Sequence, residues 1–126
     1  MVNKDIIETS IGNHFIQDDV LYIVFKEGAD VCIDCMKESK KARLLLQNNQ
    51  KMKILVDSRG LFNITKEARD YAAEDRHADL SIAMALVSDS LPTKLMMNFF
   101  IKFNRPKTPT KMFTDVDKAL EWLNIH

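Results

Sequence analysis

Met52-Lys53-Ile54-Leu55-Val56-Asp57-Ser58-Arg59-Gly60 decides how this chain folds. The apolar run is too short for a helix, and it stops at an acid followed by a turn glycine. Apolar residues at adjacent rather than alternate positions read as a strand buried on both faces. Such strands belong to parallel sheets covered by helices, so helices are expected on either side. Upstream, Asp30 is placed to cap a helix on which Val31, Cys35, Ala42, Leu45 and Leu46 recur near the helical period, stopping at Asn48-Asn49-Gln50. Downstream, residues 65–77 read as a helix with a thin stripe of Ala68, Tyr71 and Ala72, and residues 80–87 as a second buried strand. Ser88-Asp89-Ser90 with Pro92 opens a helix running to about residue 104. Arg105-Pro106-Lys107-Thr108-Pro109 forces extended backbone. A short strand at 111–113 then precedes a final helix, capped by Thr114 or Asp115, with Val116, Ala119, Leu120 and Leu123 on one face. At the other end, residues 14–17 and 20–25 flank the turn signal Asp18-Asp19 and read as a hairpin, while residues 6–11 are too irregular to assign.

A hairpin followed by alternating helices and strands is an α/β pattern: a mostly parallel sheet with right-handed crossovers and one antiparallel strand. At 126 residues, without repeats or a linker-like segment, one domain over residues 1–126 is expected. Lys plus Arg and Asp plus Glu number 18 each, so no basic excess points to nucleic acid. No apolar run is long enough to span a bilayer and no secretion signal opens the chain, so the expected compartment is the cytoplasm, with Cys32 and Cys35 as reduced thiols.

The order strand, strand, helix and three strand-helix units resembles the STAS domain of anti-anti-sigma factors and anion-transporter tails. Ile54-Leu55-Val56-Asp57-Ser58-Arg59-Gly60-Leu61, Phe99-Phe100-Ile101-Lys102-Phe103-Asn104-Arg105-Pro106, Met112-Phe113-Thr114-Asp115 and Ala119-Leu120-Glu121-Trp122-Leu123 narrow this to the SpoIIAA-like proteins, over about residues 14–125. That resemblance implies a fold shared with STAS and CRAL-TRIO lipid-carrier domains, and it implies no settled activity. The anti-anti-sigma switch is a serine in Asp-Ser-Ser-Gly at the start of a helix, and Asp57-Ser58-Arg59-Gly60 is similar to it by eye. The better match is the family's earlier Asp-x-x-Gly at the strand end, which moves the switch element onto Thr65-Lys66-Glu67-Ala68, where no serine stands. Ser58 is therefore expected to be no switch, Ser58→Ala to leave the fold unchanged, and Thr65 to cap a helix.

The carboxyl ends of the strands gather a candidate polar site of Asp57, Ser58, Arg59, Thr65, Ser88 and Asp89, at the edge where ligands of open α/β sheets bind. Caps and turns account for most such residues. Cys32-Ile33-Asp34-Cys35 has redox spacing but reads as two small buried hydrophobes, and His14, His77 and His126 are too scattered to ligate a metal. No nucleophile elbow, phosphate loop or dinucleotide fingerprint is present, so neither an enzyme nor a cofactor is expected.

The helix over 95–103 departs from a plain pattern. Met96, Met97, Phe99, Phe100, Ile101 and Phe103 cover most of its circumference, more than one buried face needs. Between Asp89 and Asp115 the only charges are Lys94, Lys102, Arg105, Lys107 and Lys111. Met96, Met97, Phe99, Phe100 and Phe103 are the candidate surface for a second chain or an apolar ligand. The leading expectation is a non-enzymatic STAS-like interaction module forming a homodimer through this helix, with a protein partner or a small apolar or anionic ligand also open. The alternative is a carrier of an apolar or lipid-like molecule, and the third reading is a phosphorylation-controlled regulator of the anti-anti-sigma type.

Overall fold

Asp18 and Asp19 both take left-handed backbone, with φ of 51° and 64°. Two such residues in succession build the tight primed turn that matches strand twist, and it joins Gly12–Gln17 to Val20–Phe25. The computed structural model describes residues 5–59, 62–74 and 80–126. In chain order the elements are β1 (Ile7–Thr9), β2 (Gly12–Gln17), β3 (Val20–Phe25), β4 (Ala29–Val31), α1 (Ile33–Gln47), β5 (Met52–Asp57), β6 (Phe62–Ile64), α2 (Lys66–Ala73), β7 (Ser81–Val87), α3 (Leu91–Phe99), β8 (Thr110–Phe113) and α4 (Val116–Asn124). A π-helical turn, Phe100–Asn104, continues α3.

The fold is α/β. Six strands form one sheet in the order β1-β2-β3-β5-β7-β8, and β4 pairs with β6 in a small separate one. β2 runs antiparallel to both of its neighbours, and β3, β5, β7 and β8 are mutually parallel. Gly12 has to be glycine, since a Cβ there would stand 1.9 Å from the Val24 carbonyl oxygen across the β2–β3 pair.

Alternation along the strands sends side chains to two cores. Val20, Leu55, Ala83, Ala85 and Val87 face α4 through its Ala119 and Leu123. Leu21, Ile23, Ile54, Val56 and Leu86 face the opposite side, where Met97 of α3 is buried and Leu46 of α1 packs. The adjacent apolar residues of Ile54-Leu55-Val56 are thus shared between two covered faces, as expected for a central parallel strand. A satellite core of Ile11, Ala29, Val31 and Ala68 ties the small sheet to α2.

Several expectations are corrected. Residues 6–11 contain a strand, β1, which extends the sheet beyond the hairpin. Asp30 lies in β4 and does not cap α1; Cys32 does, its sulfur accepting the Cys35 N–H at 3.1 Å. The buried line of α1 is Ser39, Ala42, Arg43 and Gln47, while Leu45 is 68% exposed. Partners explain the choice: Ser39 meets the His14 ring, and Gln47 Nε2 donates to the carbonyls of Gln50 and Leu80. These bonds offset the cost of burying the Ser39 hydroxyl and the Gln47 amide nitrogen. Arg105 takes left-handed backbone at φ 50° and ends the π turn, instead of starting the extended segment. The expected span of the second helix beyond residue 74, with His77, and the turn residue Gly60 lie outside the described residues.

Candidate functional site

The strand ends come first, because five of the six candidate polar residues follow β5 and β7. Ser58 is wholly buried, and its N–H and Oγ both donate to the Val87 carbonyl, at 2.9 and 2.8 Å. Ser88 is equally buried; its N–H donates to the Phe113 carbonyl at 3.1 Å and its Oγ accepts the Ser90 N–H at 3.2 Å. The two serines thus prolong the β5–β7–β8 pairing past the regular ladder. Asp57 takes two bonds from the Arg59 guanidinium, at 2.9 and 2.7 Å, and this contact holds Arg59 above its ordinary pKa. Asp89 is exposed beside this pair and adds to the field on Arg59. Thr65 stands apart: its N–H donates to Val31 at the small sheet, and its Oγ1 accepts the Ala68 N–H at 3.1 Å, capping α2. Each of these residues except Asp89 has a structural partner, and no three or more metal-ligating side chains cluster among the described residues.

The long apolar helix divides its side chains. Met97 is 5% exposed and belongs to the core against the sheet, with Met96 packed against the same cluster. Met96, Met97 and Phe100 also line a cavity beneath the helix. The outward set is Leu91, Leu95, Phe99 and Phe103, exposed by 65%, 62%, 51% and 63%. Leu91, Leu95 and Phe99 are spaced four apart on α3, and the wider π turn carries the line on to Phe103. The Phe99 and Phe103 rings sit 4.4 Å apart, and Lys102 Nζ lies 5.6 Å from the Phe103 ring centre. Of the five candidate surface residues, Phe99 and Phe103 therefore face outward, while Leu91 and Leu95 join them unanticipated. Their four-residue spacing was the available signal, hidden because apolar residues surround the helix.

Two further groups carry chemistry. Cys32 and Cys35 are free and half-buried in place of fully buried, with Cys35 packed against the satellite core. Contact with Cys32 holds the Cys35 thiol below its ordinary pKa. His14, wholly buried in β2, has Nε2 2.6 Å from Ser39 Oγ and Nδ1 3.3 Å from the Ile7 carbonyl. The carbonyl can only accept, so the proton sits on Nδ1 and Nε2 accepts from the serine. Burial lowers this imidazole's pKa from the ordinary 6.5.

Residues 14–126 match a family described as a domain of unknown function, DUF7793. No curated protein matches. Among solved structures, an uncharacterised protein of the DUF3478 family with a SpoIIAA-like fold, from Shewanella loihica PV-4, superposes with a TM-score of 0.57 at 12% identity, over 96% of this chain and 92% of that one. At that identity the likeness shows the fold, which is SpoIIAA-like, and nothing of activity. No helix among the described residues is long and apolar enough to cross a membrane.

Proposed function

The chain belongs to the DUF7793 family, and we propose that it is a non-enzymatic, STAS-like interaction module that self-associates through the outer face of α3. One observation carries this reading: Leu91, Leu95, Phe99 and Phe103 form a continuous exposed line on a helix whose inner residues already supply the core. Isolated exposed hydrophobics are ordinary, but a stripe at helical spacing with two rings in contact is the form of a contact surface. A single helix line pairs readily with its own copy about a two-fold axis, since each patch is self-complementary. Lys94 and Lys102 flank the stripe, where they stay solvated at the rim and cost little. The non-enzymatic part is supported by the strand-end residues, whose polar atoms, those of Asp89 apart, are engaged in caps, ladder extensions and an ion pair. Burial of Ser58 supports the reading that it is no switch serine.

The test is the oligomeric state of the full chain against Phe99→Glu and Phe103→Glu. Both side chains are more than half exposed, so the variants should keep the unmodified chain's circular dichroism while moving it to monomer in light scattering. A monomeric unmodified chain at tens of micromolar would remove the proposal.

A further inference from the structure

The first turn of α1 holds two thiols at the point where a strand hands over to a helix. β4 ends at Val31, so Cys32-Ile33-Asp34-Cys35 directly follows a strand and opens α1. This placement is invisible in the sequence, where Asp30 reads as the cap and the two cysteines as core. Cys32 is the N-cap: its carbonyl accepts the Met36 N–H at 2.9 Å and its sulfur accepts the Cys35 N–H at 3.1 Å. These bonds close one helical turn. The helical rise and radius put residues three apart about 5–6 Å apart at Cα, inside the roughly 4.4–6.8 Å that a disulfide spans. The Cys35 sulfur donates to the Asp30 carbonyl at 3.4 Å, and both cysteines keep part of their surface in solvent.

Thiol chemistry needs ionisation, and the positive end of a helix favours an anion in its first turn. Contact with Cys32 lowers the Cys35 pKa, and the Glu38 carboxylate one turn on works against it. Glu38 is itself engaged, one oxygen accepting the Ser10 N–H at 3.1 Å and the Ser10 hydroxyl at 2.7 Å. Two thiols on one turn let attack and closure occur on the same chain. We propose that Cys32 and Cys35 form a reversible dithiol–disulfide site that exchanges with a small disulfide of the glutathione type. The Cys35 thiolate attacks one sulfur of the reagent, whose S–S bond breaks and releases one thiolate. Cys32 then loses its proton and attacks the Cys35 sulfur; the Cys32–Cys35 bond forms and the second thiolate leaves. The two cysteine protons end on the two released thiols, so the pair is oxidised by two electrons and the reagent reduced by two. Excess reduced thiol runs the steps backwards. Closure removes the Cys35 proton from the Asp30 carbonyl and draws the capping sulfur into a covalent bond, so oxidation changes the bonds that seat α1 on β4. The site rests on the β4–α1 junction and is independent of association through α3.

The experiment treats the full reduced chain at pH 7 with glutathione disulfide, quenches with acid, and reads intact mass and a peptide map. Both thiols should disappear together, with the loss of two hydrogens and a Cys32–Cys35 link within one chain, and excess glutathione should restore them. The native chain should react at least about threefold faster than the chain unfolded in urea, the net of a larger thiolate fraction and a weaker nucleophile. Cys32→Ser, which keeps a good capping residue, should stop with one glutathione on Cys35. Cys35→Ser should take up glutathione more slowly than Cys32→Ser. Should either variant fail to fold, the map of the unmodified chain and its native-to-unfolded rate ratio decide the matter. No Cys32–Cys35 link in excess glutathione disulfide, a link only between two chains, or equal rates in the native and unfolded chains would each overturn the proposal. A faster reaction in Cys35→Ser would overturn the assignment of Cys35 as the attacking sulfur.

Discussion

Introducing charge at Ser58 separates a structural serine from a regulatory one. Its hydroxyl donates to the Val87 carbonyl at 2.8 Å in a site with no exposed surface, with the Met97 sulfur 3.9 Å away. Ser58→Ala removes one neutral hydrogen bond, a cost of about 1 kcal/mol and no more, because the Val87 carbonyl keeps the Ser58 N–H. The earlier expectation of no effect on the fold is therefore revised to a small loss. Ser58→Asp, like a phosphate, would place a carboxylate against a carbonyl oxygen and a thioether. The effective penalty for burying an unpaired ion is several kcal/mol. Whole domains are stable by only about 5–15 kcal/mol. In urea, with a slope of roughly 2 kcal/mol/M, Ser58→Ala should lower the midpoint by about 0.5 M, and Ser58→Asp by about 2 M or more. Circular dichroism and the fluorescence of Trp122, which packs 5.7 Å from the Phe113 ring, report the same transition independently. A Ser58→Asp chain with an unchanged midpoint would refute the reasoning, because the site would then tolerate charge as a switch must.

Three further outcomes follow from the described contacts. His14 has a folded pKa below the 6.5 of the unfolded chain, so the unfolded state binds more protons below that pH. Its contribution is complete above about pH 6.5 and is lost as pH falls through the folded value; urea midpoints between pH 7.5 and 5 should fall in the unmodified chain and less steeply in His14→Gln, and equal slopes would assign the loss to other groups. Thr65→Ala and Asp115→Ala should each cost about 1 kcal/mol in urea melts, by losing the side-chain bonds to Ala68 N–H at 3.1 Å and Lys118 N–H at 2.8 Å, and should add in the double variant because the caps serve different helices. Cys35 should be alkylated by iodoacetamide at a pH below that of an ordinary thiol, and Cys32→Ala should raise that pH; a profile unaffected by Cys32 would remove the contact as its cause.

The parallel sheet was legible because Ile54-Leu55-Val56 and the run through Val87 are apolar at neighbouring positions, which only a strand covered on both sides requires. β1 escaped because Ile7, Glu8 and Thr9 make a three-residue strand at the edge of the described sheet, paired with β2, and neither length nor alternation marks such a segment. The caps at Thr65 and Asp115 were readable from local chemistry, whereas the Cys32 cap was not, since sulfur is a weak acceptor and Asp30 stood nearby as a better one. The α1 face was misjudged because its buried polar residues owe their place to His14, Gln50 and Leu80, partners that no periodicity reveals.

The site problem has the same origin, carried one level up. A helix apolar around most of its circumference announces that more than one surface touches it, but the 3.6-residue period cannot assign residues to surfaces. The fold assigns them: Met97 goes to the sheet, Phe100 turns to the cavity, and Leu91, Leu95, Phe99 and Phe103 turn outward. The cavity itself was invisible to a linear reading, since the residues that line it stand on different helices and strands and come to one place only through packing of α1, α2 and α3 against the sheet.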